Sequence, residues 1–373
     1  MKISGLDVFP VEIPLKPARR MVSALGRHEV SRYVLVRVST DAGVDGLGEA
    51  TVMPRWSGET IWGAAAMLEN VLGPAVLECD PRDHVEIDRR LDTVTQGNWF
   101  AKSAIEMACW DIAGKELGQP VYQLLGGPAR ERTIRCRFSM GAYEPERART
   151  RAEELVNEGF TTIKVKVGTR IEDDVERVKI VREVIGSDRE LVIDANCGYS
   201  VDEAIQAATR MADQRIALFE QPTPRGDFQG LARVRQQTGI PVMADDICFD
   251  LSDAVNCIQA EACDVISVYP GKNGGIRKSQ QIIEFAEQHG VACSIGSNLE
   301  LDVASAAMAH VVVGCQNMRI ESVPGDLLGP DYHEFSIARE PLEIQGPLVT
   351  LSDRSGLGID VDWQRVEACR CPI

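Results

Sequence analysis

Ile163-Lys164-Val165-Lys166, Leu191-Val192-Ile193-Asp194, Ala217-Leu218-Phe219-Glu220 and Val242-Met243-Ala244-Asp245 follow one another along the chain, each a short run that stops on a charged residue, the last three apolar up to that point and the first alternating. Runs this short, alternating with amphipathic segments, read as parallel strands joined by crossover helices. The pattern extends both ways, to Cys136–Ser139 upstream and to Val265–Tyr269, Val291–Ile295 and Met318–Glu321 downstream. Eight candidate strands spaced in this way predict an α/β fold, a modified (β/α)7-8 TIM barrel, whose chemistry sits at the carboxyl ends of the strands.

Residues 1–125 have a different character and predict an α+β capping domain. An antiparallel meander (Lys2–Ile13, Ser31–Thr40, Asp45–Glu49) precedes helices over Thr60–Leu77, Asp83–Thr95 and Ala101–Leu117. The last helix carries Ile105, Ala108, Cys109 and Ile112 at helical spacing and stops at Gly118. The barrel is assigned to residues 126–335. The tail, 336–373, returns to short strands and turns (Gly346-Pro347, Gly356-Leu357-Gly358) and is expected to fold back onto the cap.

With 373 residues, 44% hydrophobic and 26% charged, the chain is too long for one ordinary core. A net charge of −16 lacks the basic footprint of a nucleic-acid partner and disfavours an anionic membrane surface. The opening "MKISGLDVFPVEIPL" alternates like a strand rather than a signal, and stretches such as Val303–Gly314 are too short to span a bilayer. Eleven cysteines, scattered singly, fit a reduced cytoplasmic protein, with Cys369 and Cys371 as free thiols.

Asp194, Glu220 and Asp245 stand at the tips of three successive strands, 26 and 25 residues apart. One acid at a strand end is usually a helix cap or a solvated loop residue. Three in consecutive registers repel one another unless a cation sits among them, and carboxylate donors without His or Cys favour a hard ion such as Mg²⁺. Lys164 and Lys166 share one side of their strand. A second ammonium and a divalent ion both disfavour charge on Lys166, which suits it to general-base work. An α-proton beside a carboxylate is too weakly acidic for a base alone; the metal must stabilise the enediolate.

These motifs (Lys164-x-Lys166, Asp194-x-Asn196, Glu220-Gln221-Pro222, Ala244-Asp245-Asp246, Lys272-Asn273-Gly274-Gly275) together resemble the enolase superfamily, in its muconate-lactonizing-enzyme subgroup. The resemblance covers nearly the whole chain, including Gly46-Leu47-Gly48-Glu49, Ala101-Lys102-Ser103-Ala104 with Trp110-Asp111, and Leu124-Leu125-Gly126-Gly127. It implies Asp194, Glu220 and Asp245 as Mg²⁺ ligands and Lys166 as the acid/base supported by Lys164, lysine with Mg²⁺ about an enediolate being the established pattern of that superfamily. It also implies a small-molecule carboxylate substrate and a homo-oligomer.

Two departures alter the expectation. Tyr269 occupies the place of a second catalytic lysine, 24 residues after Asp245, while Lys272 matches a separate supporting lysine. Asp246 stands where the subgroup more often has Glu. A phenol is a poor base at neutral pH and a fair proton donor. The expected reaction therefore uses one face: cycloisomerisation, or β-elimination (dehydration), with Lys166 as base. The alternative is a racemase or epimerase of an amino-acid or proline derivative, with Tyr269 on the second face. A non-catalytic ligand-binding barrel leaves the triad and lysine pair unexplained. The mandelate-racemase branch would place His at the seventh strand end, where Gly296-Ser297-Asn298 stands; His310 reads as a packed helix residue. Dipeptide epimerases of this fold carry Asp-x-Asp after strand eight to hold an ammonium, and Glu321-Ser322-Val323 there weakens that reading. Substrate contacts and supporting groups are expected from Asn196, Asp246, Lys272, Ser297, Asn298 and Glu300. The cap loops Lys16–His28 and Thr51–Glu59 add Arg20 and Trp56.

Overall fold

Strands β1 (Ile3–Pro14), β4 (Val30–Thr40) and β5 (Gly46–Val52) form an antiparallel sheet in the order β1–β4–β5. Between β1 and β4 a small hairpin, β2 (Met21–Ser23) with β3 (Gly26–His28), gives the first cap loop regular structure. The computed structural model describes residues 1–372. β5 lies so close to the helix Trp99–Leu117 that a Cβ at Gly48 would sit 1.7 Å from the Ala104 carbonyl oxygen. Only glycine permits that approach. The helix ends on Gly118 in the left-handed conformation (φ 65°), a common helix terminator. The first expected helix is interrupted, running Ile61–Met67, then a π-helical turn Leu68–Leu72, then Gly73–Val76.

After β6 (Thr133–Arg135) come β7 (Phe138–Met140), β8 (Thr162–Lys166), β9 (Glu190–Asp194), β10 (Ile216–Glu220), β11 (Val242–Ala244), β12 (Val265–Val268) and β13 (Ala292–Ile295). β7 to β13 make one parallel, seven-stranded sheet in sequential order. The eighth expected strand is not a regular one. Its place is filled by an irregular segment in which Met318 alone bridges to Cys293. That segment is nevertheless bonded on both sides: Asp326 N–H donates to Ile295 O (3.2 Å) and Arg137 N–H donates to Gly325 O (2.8 Å). Pro324 offers no N–H to a ladder, and a Cβ at Gly325 would lie 2.2 Å from Ile295, so only glycine fits there. Val192, Leu218 and Met243, each two residues below a strand-end acid, form an apolar floor with Val265.

Two buried carboxylates join cap to barrel. Glu49 accepts from the N–H groups of Leu301 and Ala304 (2.8 and 3.0 Å), at the start of the helix Asp302–Gly314. Glu106 accepts from Ile276 and Arg277 (2.7 and 2.9 Å), at the start of the helix Ile276–Gln288. Helix N-termini offer free donors and a partial positive charge to such groups. The tail makes β14 (Glu343–Gln345) and β15 (Leu348–Thr350), which extend β6, and then returns to β1: Cys371 N–H donates to Pro10 O and Trp363 packs on Phe9. All eleven cysteines are free thiols. Among the described residues no helix is long and apolar enough to cross a membrane.

Candidate active site

The carboxyl ends of the strands open into a cavity of about 630 Å³, roofed by the β2–β3 hairpin and the turn Pro54–Ser57. Alternation along β8 sends both lysines inward, and both reach Asp194 Oδ2, Lys164 at 2.9 Å and Lys166 at 2.5 Å. Lys166 also donates to Asn196 Oδ1 (2.6 Å), and Lys164 to Glu220 Oε1 (2.7 Å). Burial works against the Lys164 ammonium, but Asp194 and Glu220 outweigh it and hold its pKa above the ordinary lysine value.

Asp194, Glu220 and Asp245 all lie buried at neighbouring strand ends. Glu220 is raised from the ordinary carboxylate value by burial, partly countered by Arg137, with Asp194 adding to the rise. Burial opposes the charge on Asp245 too, yet Lys272 holds its pKa down. The Lys272 ammonium is saturated by Asp245 Oδ1, Asp245 O and Ser267 O (2.9, 3.0 and 2.7 Å). As arranged, no three acidic, His or Cys side chains among the described residues enclose a common metal position. Lys164 bridges that space instead. Gln221, in the left-handed region (φ 35°), locks two strand tips together by accepting from Asp245 and Ile247 N–H.

Tyr269 lies at the end of β12, its hydroxyl donating to Asp245 Oδ1 (3.1 Å). Burial and then Asp245 push its phenol well above the ordinary tyrosine value. Trp56 is buried rather than loop-exposed. Its indole N–H donates to Asp246 and its ring stacks on Tyr269, centroids 5.6 Å apart. Burial, with Asp245 and Asp194, raises Asp246 to about 7.

Ser297 and Asn298 line the cavity. Glu300 stands behind them, accepting from the Ser297 hydroxyl (2.7 Å) and Asn298 N–H (2.9 Å). Arg20 is a correction: the chain turns into the hairpin just after it, so it does not line the cavity, whereas Arg27 and Arg55 do. His310 is fully buried in its helix, with Nδ1 accepting from Tyr122 N–H.

Sequence reading missed two inward groups. Arg137, two residues before Ser139, donates from Nη2 to Glu220 Oε2 (2.6 Å) with no solvent exposure; strand alternation back from Ser139 would have found it. Asp326 faces the cavity and accepts from Ser139 Oγ and Leu328 N–H (3.0 Å each). Glu321, expected at the end of strand eight, pairs with Arg130 at the surface. The acid at that mouth is Asp326, displaced by the irregular eighth segment.

Residues 5–126 match the mandelate racemase / muconate lactonizing enzyme N-terminal domain, and residues 147–365 match the enolase C-terminal domain-like family. The chain belongs to the enolase superfamily. Its relatives are those of the muconate-lactonizing-enzyme subgroup. A hydrophobic dipeptide epimerase from Enterococcus faecalis is 33% identical over 96% of this chain and 99% of its own. Its structure with Mg and the dipeptide L-Leu-L-Tyr aligns at a TM-score of 0.91. N-succinyl Arg/Lys racemase from Bacillus cereus gives a TM-score of 0.95 at 29% identity, covering 100% of this chain and 99% of that one. A chloromuconate cycloisomerase from Cupriavidus necator is 28% identical over 98% of both chains. The protein is thus an enzyme of this subgroup, an isomerase or dehydratase. Epimerases and racemases being the more similar relatives, the racemase/epimerase alternative gains over the one-face reaction expected from Tyr269.

Proposed function

We propose that the protein is a Mg²⁺-dependent epimerase of a dipeptide or related amino-acid derivative that presents an ammonium group. The observation that carries this is Asp326. It is a buried carboxylate facing the same cavity as Lys166, and its protein partners are a hydroxyl and an amide rather than a cation. A substrate ammonium would complete it, whereas a second substrate carboxylate would be repelled.

Asp194, Glu220 and Asp245 suit a hard cation: all donors are oxygens, and burial with mutual repulsion raises Glu220 despite two cationic neighbours. A Mg²⁺ ion held by these three carboxylates would supply positive charge for the substrate carboxylate as negative charge develops. Lys166 takes the α-proton, and Asn196 and Asp194 orient its amine. β8 and β12 are the second and sixth strands of a barrel with eight positions, so Lys166 and Tyr269 approach from opposite sides. Tyr269 then returns a proton to the other face. A second reading, elimination from one face, is favoured by the Tyr269 phenol, which is pushed far above its ordinary value and engaged with Asp245.

Incubation with Mg²⁺ and a panel of dipeptides in D₂O, followed by NMR, tests both. Deuterium incorporation with inversion is the expected result. Exchange with retention, or elimination, selects the one-face reading. Turnover confined to muconate-type dicarboxylates would refute the substrate class.

A further inference from the structure

Glu220 has two cationic partners of very different kinds. Lys164 takes Oε1 at 2.7 Å and shares its ammonium with Asp194. Arg137 takes Oε2 at 2.6 Å from below, through Nη2 alone; its Nε and Nη1 are buried without a partner. The guanidinium has no solvent exposure. It is enclosed by the barrel. The lysine ends a flexible four-carbon stem at the cavity wall, and can turn aside.

A buried guanidinium with two unpartnered nitrogens is a costly residue to place inside a barrel. Packing alone does not explain it, since an apolar side chain of similar volume would continue the floor of Val192, Leu218, Met243 and Val265. The single bond to Glu220 is its one specific engagement. We infer that Arg137 is a positioning residue for the metal centre: it holds Glu220 by Oε2, so that Oε1 alone faces the strand-end mouth when Lys164 gives way to a metal ion. The inference rests on the reading of Glu220 as a metal ligand proposed above. Two effects oppose each other here. As a nearby positive charge, Arg137 would weaken cation binding; as an anchor for the ligand, it would strengthen it. The anchor prevails.

Calorimetric titration of the metal-free protein with Mg²⁺, checked with Mn²⁺ by electron paramagnetic resonance, reads this directly. In Arg137→Met the Kd should rise about 10- to 100-fold, the usual consequence of losing an outer partner of a ligand. Arg137→Lys, which keeps a charged donor within reach, should stay within a few-fold of wild type. Thermal unfolding of the same samples establishes that each is folded. Tighter Mg²⁺ binding by the Met variant would show that charge dominates and overturn the inference. An unchanged Kd with a lowered Tm would reduce Arg137 to a structural role and overturn it equally. If the Met variant does not fold, Arg137→Gln, polar but too short to hold Oε2, must show the same loss of affinity. Wild-type protein that binds no Mg²⁺ would overturn the metal reading itself, a different result from wild type binding normally while the variants match it.

Discussion

Asp326→Asn isolates the feature on which the substrate assignment rests. The carboxylate is 3% exposed, with Oδ1 accepting from Leu328 N–H and Oδ2 from the Ser139 hydroxyl. Asparagine has the same shape and keeps an oxygen for Leu328, and the Ser139 hydroxyl can rotate to accept from the new amide. Stability should therefore change by no more than about 1 kcal/mol. What disappears is the negative charge. A hydrogen bond to a charged group is worth about 1.5–3 kcal/mol, which is roughly a 10- to 150-fold loss in kcat/KM. The assay compares a dipeptide with its N-acetyl counterpart, which has no ammonium. The loss should fall on the free amine and spare the acetylated compound. Equal losses on both, or no loss on either, would refute the reasoning.

Lys166→Met should slow α-proton exchange by about 10²- to 10⁴-fold, measured by NMR in D₂O; near-normal exchange would displace Lys166 as the base. Tyr269→Phe should abolish exchange from one epimer of the substrate while leaving the other, exchanged by Lys166, largely intact; equal retention for both epimers would favour the one-face reading. Gly48→Ala forces a Cβ to within 1.7 Å of the Ala104 carbonyl oxygen, so denaturant titration should show at least about 1–3 kcal/mol of lost stability. Burial raises Glu49 to about 8. Its contribution to stability is present below its unfolded value near 4.5 and is lost as pH rises through about 8. Glu49→Gln should remove that dependence, by at most about 1.4 kcal/mol per pH unit, in unfolding titrations between pH 5 and 8.

Strand positions and the acids at their tips were legible because both follow from local pattern: apolar runs of four or five residues, ended by a charge, need no tertiary information. Lys164, Lys166, Asp194, Glu220 and Asp245 could be aligned in register before their contacts were known. Three features were not legible. The eighth strand is irregular around Pro324, which lacks a ladder N–H, and the acid that faces the mouth is Asp326, five residues beyond the expected strand end at Glu321. Nothing local distinguishes Arg20 from Arg55, two arginines in polar loops; the hairpin geometry that puts Arg55 rather than Arg20 at the cavity is set by packing. Gly26 reflects that packing, since a Cβ there would lie 2.5 Å from Arg55 Nη1. The partners of Lys164 were not legible either, since its bridge between Asp194 and Glu220 joins three strands and is visible only in the folded arrangement.

Trp56 shows why cap and barrel cannot be treated as independent parts. It belongs to the cap turn Pro54–Ser57, yet it donates to Asp246 beyond β11 and stacks on Tyr269 beyond β12. Asp246 is otherwise poorly compensated, since burial and its acidic neighbours raise it to about 7, and its remaining neutral contact is Asn196 Nδ2 at 3.5 Å. The indole therefore satisfies a buried acid next to Asp245 while also fixing the plane of the Tyr269 ring. Glu49 and Glu106 hold the same cap rigidly to barrel helices that begin beside these strand ends. The cap turn that roofs the cavity is thereby connected, through one aromatic side chain, to both the carboxylate cluster and Tyr269, across the barrel from Lys166. The shape of the cavity roof and the orientation of Tyr269 and Asp246 are in this way consequences of a single packing arrangement.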